Sequence, residues 1–318
     1  MKRILVTGSY GQIGVELVGV LRKKYGGENV IATGRKFPPP ILKEDGPYYR
    51  LDALDTNQLH TMLVDHQIDI VIHNASVLSA TGEQNPQLAY RTNIEGTYNV
   101  MEAVRILGLE QALIPSSIAA FGPSSPRNNT PNDVITRPTS MYGVTKVFVE
   151  LFGEYYNLRY GIDFRSLRYP GVISAEAMPG GGTTDYAVAI FYEALKEKKF
   201  TCFLGPDTRL PMMFMPDCIK STIDLMEADN ETLKHRTFNV TAFSFTPSEL
   251  AEEIKNHIPD FEIEYEPDFR QQIADSWPMS LDDSVAREEW GWKPDYDLPA
   301  MVTEMLDKLS KKLGVNYK

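Results

Sequence analysis

A glycine-spaced turn near the beginning of the sequence constrains the fold more than any other feature. An apolar run from Arg3 to Val6 leads into TGSYGQIGVEL, in which Gly8, Gly11 and Gly14 follow the spacing G-x-x-G-x-x-G before a helical pattern. In such a turn one glycine permits the sharp change of direction, one lets the backbone approach a pyrophosphate, and one lets the helix pack on the strand. The free N–H groups at the helix N-terminus then suit phosphate. The turn therefore predicts a dinucleotide-binding unit.

Apolar strand-like runs alternate with longer helical patterns through the first half of the chain. We expect strands near residues 2–7, 29–33, 48–51, 69–73, 111–115 and 163–168, and helices near 12–24, 56–65, 87–107 and 141–160. This alternation is typical of a doubly wound, Rossmann-like α/β fold with a parallel sheet covered on both faces.

The sequence pattern changes after about residue 171, where shorter predicted elements and loop signals begin. We interpret residues 1–170 as a Rossmann domain that binds the dinucleotide and residues 171–318 as a smaller substrate-binding domain. The run from Arg236 to Val240 looks like a strand that returns to the main sheet. The predicted C-terminal domain is therefore partly interleaved with the first, through a return segment at 216–242.

Composition excludes several classes of partner. The chain has 318 residues, of which 42% are hydrophobic, and a net charge of −11. That charge argues against binding to nucleic acid or to an anionic membrane surface. No apolar run reaches the length of a membrane span, and the structural pattern begins at Lys2, so we expect a cytoplasmic protein.

Cysteine and histidine usage argues against a metal site. Cys202 and Cys218 cannot form a cysteine-rich zinc site or a disulfide framework, and we expect both to be small core residues. The histidines follow no spacing typical of metal ligands; they are His60, His66, His73, His235 and His257. We therefore expect no metal.

Polar residues follow the predicted strands where each strand ends. The run His73-Asn74-Ala75-Ser76 follows the fourth strand, Pro115-Ser116-Ser117 the fifth, and Tyr169-Pro170-Gly171 the sixth. In open α/β sheets ligands bind outside the carboxyl ends of the strands. We therefore expect these three runs to meet at one site.

Tyr142 and Lys146, in the run YGVTK, form a candidate acid/base unit. Residues four apart share one face of a helix. A free phenol has a pKa of about 10 and is a poor base at neutral pH. A lysine ammonium beside it, together with a positively charged nicotinamide, would favour the phenolate and lower that pKa.

Together these motifs resemble the extended short-chain dehydrogenase/reductase family, which includes nucleotide-sugar epimerases and dehydratases. The matching runs are TGSYGQIG, HNAS, TNIEGTYN, SSIAAFG and YGVTK. The resemblance implies that Ser117 hydrogen-bonds the reacting hydroxyl, with Ser116 as a less favoured candidate that otherwise bonds the local backbone. It implies that Lys146 lowers the pKa of Tyr142 and bonds the nicotinamide ribose. Asn93 would align a helix or relay protons, unless it only bonds the helix.

The resemblance also implies which residues contact a nicotinamide cofactor. They are Gly8, Tyr10, Gly11, Gln12, Ile13, Gly14, Arg35, Asp52, Ala53, Asn74, Ala75, Ser76, Asn93, Tyr142, Lys146 and Tyr169.

The end of the second predicted strand departs from the pattern of NAD-specific members. These members carry an acidic residue there, whereas this chain has Gly34-Arg35-Lys36. An arginine can accommodate a 2′-phosphate, so NAD is the first expectation and NADP stays open. Alternatively, Arg35 stacks on adenine or faces solvent, and Asp52 bonds the adenine.

Five runs of the second half are similar to the group of short-chain-type L-threonine 3-dehydrogenases within this family. They are LRYPGVIS from Leu167, PGGGTTDYAV from Pro179, LPMMFMPDC from Leu210, FTPSELAEEI from Phe245 and DFRQQIADSWPMSLDDSVAREEWGW from Asp268. The similarity implies oxidation of the β-hydroxyl of L-threonine to L-2-amino-3-oxobutanoate, with hydride transfer to NAD. The alternatives are a nucleotide-sugar epimerase or dehydratase of the same family, and a non-catalytic cofactor sensor.

An amino-acid substrate must be held by its charged groups. The loop from Pro179 to Thr184 offers the hydroxyls of Thr183 and Thr184 and free backbone N–H groups, which suit a carboxylate. Ser79 is a second candidate contact. Trp277 either closes the pocket over the substrate or serves as a packing anchor.

The family implies a homodimer formed through the helices near 87–107 and 141–160. Apolar positions such as Phe148, Leu151 and Phe152 could serve it, although they could equally be core residues.

Overall fold

The computed structural model describes residues 2–37, 42, 45–176 and 180–317. Its strands are β1 Ile4–Thr7, β2 Val30–Gly34, β3 Tyr48–Arg50, β4 Ile70–His73, β5 Gln111–Leu113, β6 Ser116–Ser117, β7 Asp163–Tyr169, β8 Gly171–Ile173, β9 Lys199–Cys202, β10 Leu210–Phe214, β11 Thr237–Asn239, β12 Phe243–Phe245 and β13 Glu262–Tyr265. Its α-helices are α1 Gln12–Tyr25, α2 Thr56–Asp65, α3 Ser79–Gln84, α4 Pro86–Ala89, α5 Gly96–Leu107, α6 Met141–Tyr160, α7 Tyr186–Lys196, α8 Met215–Glu227, α9 Pro247–Lys255, α10 Arg270–Asp275, α11 Ser284–Trp290 and α12 Leu298–Leu313.

The main sheet is parallel and has the order β11-β7-β5-β4-β1-β2-β3, with β6 paired to β7. The chain runs outward from β1 to β3 and then restarts at β4 on the other side of β1. A crevice opens at such a reversal, outside the carboxyl ends of β1 and β4. The predicted doubly wound, Rossmann-like α/β fold is confirmed.

Helices cover both faces of this sheet because successive strand residues point to opposite sides. On one face, Ile4 and Val6 pack in a cluster with Leu17 of α1 and Ile223 of α8. On the other face, Leu5 belongs to a cluster with residues of α2, α5 and α6. Both faces are buried, which is why the strands read as continuous apolar runs.

Two predicted elements differ in detail from the structure. The helix expected over 87–107 is interrupted by a π-helical turn at Tyr90–Glu95, a feature that often occurs at functional sites. The strand expected over 111–115 stops at Leu113 and resumes as β6 at Ser116–Ser117. Ser117, the last residue of β6, therefore lies toward the carboxyl edge of the sheet.

The second half of the chain builds a separate apolar cluster around α7, α9 and α12. Two small sheets accompany it, with orders β12-β10-β8 and β13-β9. The returning strand is present: β11 pairs with β7 at the edge of the main sheet, and α8 packs on α1. The division into two domains remains a prediction.

Cys202 and Cys218 are free thiols buried in the core, as expected. Among the described residues, no helix combines the length and the apolar character needed to cross a bilayer.

Candidate active site

A single cleft of about 1570 Å³ runs along the carboxyl ends of the main sheet and brings together most of the predicted site. All predicted cofactor contacts except Asn93 line it, and so do all predicted substrate contacts. No group of three or more potential metal-binding side chains is found within the described ranges.

The glycine turn forms the floor of one end of the cleft. Gly8 has φ of 64°, a left-handed conformation, and a Cβ atom there would lie 2.6 Å from the backbone nitrogen of Ala75. A Cβ on Gly14 would lie 2.4 Å from the carbonyl oxygen of Gly8. The Gly11 N–H donates to that same oxygen at 3.0 Å. Side chains at Gly8 and Gly14 would therefore force the turn apart.

This turn fits a dinucleotide pyrophosphate. Helix α1 begins after Gly11 with no side chain capping its N-terminal N–H groups, and its first turn carries no acidic residue. Uncapped N–H groups and the positive end of the helix dipole favour phosphate at this position. The residues present therefore fit the cofactor that the sequence predicts.

The end of β2 supplies cations and no carboxylate. Gly34 is buried, whereas Arg35 and Lys36 are exposed, and the Lys36 ammonium lies 5.8 Å from the centre of the Tyr10 ring. Asp52 is half-buried at the neighbouring strand end, where its Oδ1 accepts a hydrogen bond from the Leu54 N–H at 3.1 Å.

The predicted catalytic side chains meet in the middle of the cleft. Helix α6 begins at Met141, after Ser140 caps it by accepting from the Gly143 N–H, and it points Tyr142 and Lys146 inward. Ser117 hydrogen-bonds the Tyr142 phenol. The Lys146 Nζ donates to the carbonyl oxygen of Pro115 at 2.8 Å and lies 5.3 Å from the centre of the Tyr142 ring.

The electrostatics of this pair differ from the expectation. Burial raises the pKa of Tyr142 to about 12, and the hydrogen bond from Ser117 opposes that change only in part. Burial also lowers the pKa of Lys146 to about 8, while the Glu150 carboxylate acts to raise it. The expected lowering of the tyrosine pKa is therefore not a property of the pair in the protein alone, because desolvation penalises both charges.

Asn93 does not line the cleft. It lies buried in the π-helical turn, where its Oδ1 accepts from the Val77 N–H at 2.7 Å. Its Nδ2 donates to the Val77 carbonyl at 3.0 Å and to the Thr145 hydroxyl at 3.1 Å. Asn93 thus joins the segment after β4 to helix α6, and its predicted cofactor contact stays a prediction.

Ser116 has a different partner from the one expected. Its hydroxyl donates to the buried carboxylate of Glu150, not to the local backbone. Glu150 in turn bonds Arg168 through two oxygens, at 2.9 and 2.8 Å. Nothing in the local sequence marks this arrangement.

The hydrogen bonds of the loop that ends at Thr184 differ from those expected from the sequence. The Gly181 and Gly182 N–H groups donate to the Asp185 carboxylate at 2.8 and 2.7 Å, and the Thr183 N–H donates to the Ser79 hydroxyl at 3.3 Å. Three of the loop N–H groups expected to be free for a carboxylate are therefore already used by the protein. Pro179, the first residue of the predicted loop, lies outside the described residues.

The side chains of this end of the cleft nevertheless come together as predicted. The Ser79 and Thr183 hydroxyls are 3.1 Å apart, and Thr184 and Trp277 line the same cleft. Trp277 is 4% exposed, and its indole Nε1 has no hydrogen-bond partner among the described residues. Asp185, which the sequence did not single out, also lines the cleft.

Comparisons with known proteins agree with this geometry. Residues 4–241 match the model of the NAD dependent epimerase/dehydratase family. The chain is 52% identical to the bovine (Bos taurus) mitochondrial L-threonine 3-dehydrogenase over 307 residues, which cover 96% of this chain and 82% of that protein.

Two solved structures extend the similarity to the whole chain. The L-threonine dehydrogenase of Phytophthora infestans is 52% identical with a TM-score of 0.95, covering 98% of this chain and 100% of that one. A monomeric L-threonine 3-dehydrogenase from a metagenome is 42% identical with a TM-score of 0.94, covering 97% and 99%. The chain therefore belongs to the NAD dependent epimerase/dehydratase family.

Proposed function

We propose that this protein is an L-threonine 3-dehydrogenase, which oxidises the β-hydroxyl of L-threonine to give L-2-amino-3-oxobutanoate. The observation that carries the proposal is the 52% identity to a threonine dehydrogenase structure over nearly the whole chain. That similarity includes the second half, which supplies Thr183, Thr184 and Trp277 to the cleft.

The cleft offers a place for each part of the reaction. The glycine turn and the N-terminus of α1 hold the pyrophosphate of the cofactor. When bound, the oxidised nicotinamide provides the acceptor for the hydride that leaves C3 of the substrate. Ser117 holds the substrate oxygen by hydrogen bonding, and Tyr142 takes the hydroxyl proton.

Lys146 supplies the positive charge that this proton transfer needs. Its ammonium, 5.3 Å from the centre of the tyrosine ring, favours the phenolate over the phenol. A cationic nicotinamide ring, when bound, would add to the same effect. Together they offset the burial that raises the pKa of Tyr142 to about 12.

The zwitterion of threonine is held by groups at the other end of the cleft. The hydroxyls of Ser79, Thr183 and Thr184 suit the carboxylate, because they donate without leaving a buried cation unpaired. The Asp185 carboxylate suits the ammonium group. Trp277 lines this end of the cleft and is packed in the apolar cluster of the second half, so it supplies an apolar wall beside the substrate.

NAD is the proposed cofactor, in keeping with the description of the matched family. Arg35 and Lys36 at the end of β2 make NADP the competing possibility, since they would suit a 2′-phosphate. Initial rates with NAD and NADP at matched concentrations decide between them. A clear preference for NADP would overturn this part of the proposal.

The decisive assay measures NADH formation across a panel of hydroxy amino acids and nucleotide sugars. Threonine-dependent NADH formation without any nucleotide sugar supports the proposal. An epimerase or dehydratase would instead convert the sugar with no net NADH. A non-catalytic sensor would bind the cofactor and turn over neither class of compound.

Two further parts of the proposal concern the surroundings of the enzyme. A homodimer through α5 and α6 is supported by exposed apolar side chains on these helices, including Tyr98 at 48%, Leu151 at 61% and Leu158 at 86%. One solved relative is described as monomeric, so the oligomeric state needs a measurement, and sedimentation at several protein concentrations decides it.

We also propose a cytoplasmic location. Free buried Cys202 and Cys218 suit a reducing, cytoplasmic compartment.

A further inference from the structure

A buried ion pair lies directly behind the catalytic side chains. Glu150 stands one turn after Lys146 on α6, and Arg168 stands on β7 beside Tyr169. Their side chains are 5% and 8% exposed. The Arg168 guanidinium donates to both Glu150 oxygens, at 2.9 and 2.8 Å, so the pair is bidentate and its geometry is closely defined.

One branch of this pair reaches the catalytic residues. The Glu150 carboxylate accepts from the hydroxyl of Ser116, the neighbour of Ser117. The same carboxylate lies one helical turn from Lys146 and favours the charged state of its ammonium. Glu150 is therefore placed to position Ser117, through its neighbour Ser116, and to stabilise the charge of Lys146.

A second branch reaches the segment that carries Trp277, another residue that lines the cleft. The remaining Arg168 nitrogen, Nη1, donates to the Asn132 carbonyl at 2.6 Å and to the Asn239 Oδ1 at 3.2 Å. The Asn239 amide nitrogen then donates to the carbonyls of Thr130 and Asp282, each at 3.1 Å.

Asp282 belongs to the Trp277 segment, defined as residues 277–283. The Thr130 N–H donates to the carbonyl of Ser280 at 3.0 Å, and the Asp282 N–H donates back to the Thr130 carbonyl at 2.9 Å. The segment that carries Trp277 into the cleft is therefore held against the main sheet through Asn239 and Thr130.

Stability alone does not account for an ion pair at this depth, because an apolar pair of similar volume is often as stable. The contacts join two walls of one cleft instead. We propose that Arg168 is a positioning residue that couples these walls, holding α6 and Ser116 through Glu150 and the Trp277 segment through Asn239. The kinetic part of this inference rests on the proposed threonine dehydrogenase activity.

Cutting the branches one at a time tests the coupling. Glu150→Gln is expected to lower kcat about tenfold or more while KM for threonine changes little, since loss of a hydrogen bond to a charged group is of this size. Asn239→Ala is expected to raise KM for threonine about tenfold while kcat changes little. Arg168→Met is expected to change both kcat and KM for threonine. Arg168→Lys, which keeps the positive charge but not the bidentate guanidinium, should change them less.

Arg165 provides the matched control. It is another buried arginine of β7, paired with Asp163 and bonded to the carbonyls of Leu225 and Ala228, and it does not line the cleft. Arg165→Met is expected to lower the stability to urea as Arg168→Met does, and to leave kcat and KM near the wild-type values.

Hydrogen exchange provides a readout that does not depend on the substrate. Asn239→Ala and Arg168→Met should increase exchange in the Trp277 segment, whereas Arg165→Met should not. If Arg168→Met does not fold, Arg168→Lys and the two single-branch variants carry the test. Unchanged exchange in the segment, or kcat and KM that move together in both branch variants, overturns the proposal. A wild-type enzyme inactive on threonine refutes the proposed function, and the exchange result then decides the coupling alone.

Discussion

Two glycines of helix α1, Gly14 and Gly19, are expected to respond oppositely to substitution by alanine. A Cβ on Gly14 would lie 2.4 Å from the Gly8 carbonyl oxygen and 2.7 Å from the Cα of Ser9. Both obstacles are backbone atoms, so the conflict cannot be relieved by turning a side chain. A Cβ on Gly19, five residues later in the same helix, would meet nothing within 4 Å.

The expected magnitudes follow from these distances. To reach an ordinary contact, α1 must move away from the turn by roughly 1 Å, and overpacking of this kind costs about 1–3 kcal/mol. Alanine in place of a helical glycine gains about 0.5–1 kcal/mol. Gly14→Ala is therefore expected to destabilise the protein by about 0.5–2 kcal/mol, whereas Gly19→Ala should stabilise it by about 0.5–1 kcal/mol.

The displacement should also weaken cofactor binding. Hydrogen bonds from the N-terminus of α1 to a phosphate are charge-assisted and contribute about 1.5–3 kcal/mol each, so their distortion by Gly14→Ala should weaken NADH binding about tenfold or more. Gly19→Ala should leave the affinity within about twofold of wild type, since 0.4 kcal/mol corresponds to that factor.

Urea unfolding measures the stability change, and fluorescence titration with NADH measures the affinity. A Gly14→Ala protein that binds NADH as tightly as wild type would refute the assignment of this turn to the cofactor pyrophosphate. Equal stability changes in the two variants would refute the steric argument.

Three further outcomes are expected. Tyr142→Phe should lower kcat about 10²–10⁴-fold, the usual contribution of an acid/base group, while NADH titration gives a near wild-type affinity; activity close to wild type would show that another group takes the proton. Lys146→Met should remove part of the pH dependence of stability: the pKa of Lys146 is lowered to about 8, so above that pH the unfolded chain binds more protons than the folded one, and wild-type stability should rise by about 3 kcal/mol between pH 8 and 10.5 relative to the variant. Parallel pH profiles of urea unfolding would contradict this. Gly153→Ala, also inside a helix, should destabilise the protein by about 0.5–2 kcal/mol with kcat and KM unchanged, because its Cβ would lie 2.2 Å from the buried Phe164 ring and neither residue lines the cleft; a urea midpoint equal to wild type would show that the ring can move aside.

The fold could be predicted from the sequence because its signals are local. The glycine spacing, the apolar runs and their alternation each depend on residues close together in the chain, and backbone sterics convert them directly into a turn, strands and helices. The π-helical turn at Tyr90–Glu95 was not predictable in this way, because the sequence pattern there is that of an ordinary helix.

The meeting of the candidate catalytic side chains in one cleft could also be predicted, since Tyr142 and Lys146 share a helix face and Ser117 follows a strand end. The pKa values of these side chains could not be predicted from the sequence. The pKa of Tyr142 depends on how completely the surrounding protein excludes water, and burial is a property of the folded chain.

The substrate end of the cleft shows most clearly the difference between residues that the sequence identifies and contacts that depend on folding. The sequence supplies Ser79, Thr183 and Trp277, and the chemistry needed to hold an amino acid suggested their roles. That the N–H groups of Gly181, Gly182 and Thr183 bond Asp185 and Ser79 became visible in the folded chain. Only the tertiary structure placed Arg168 between Glu150 and Asn239. Contacts between residues so far apart in the chain leave no local pattern, because their partners are chosen by packing and by the need to pair every buried charge.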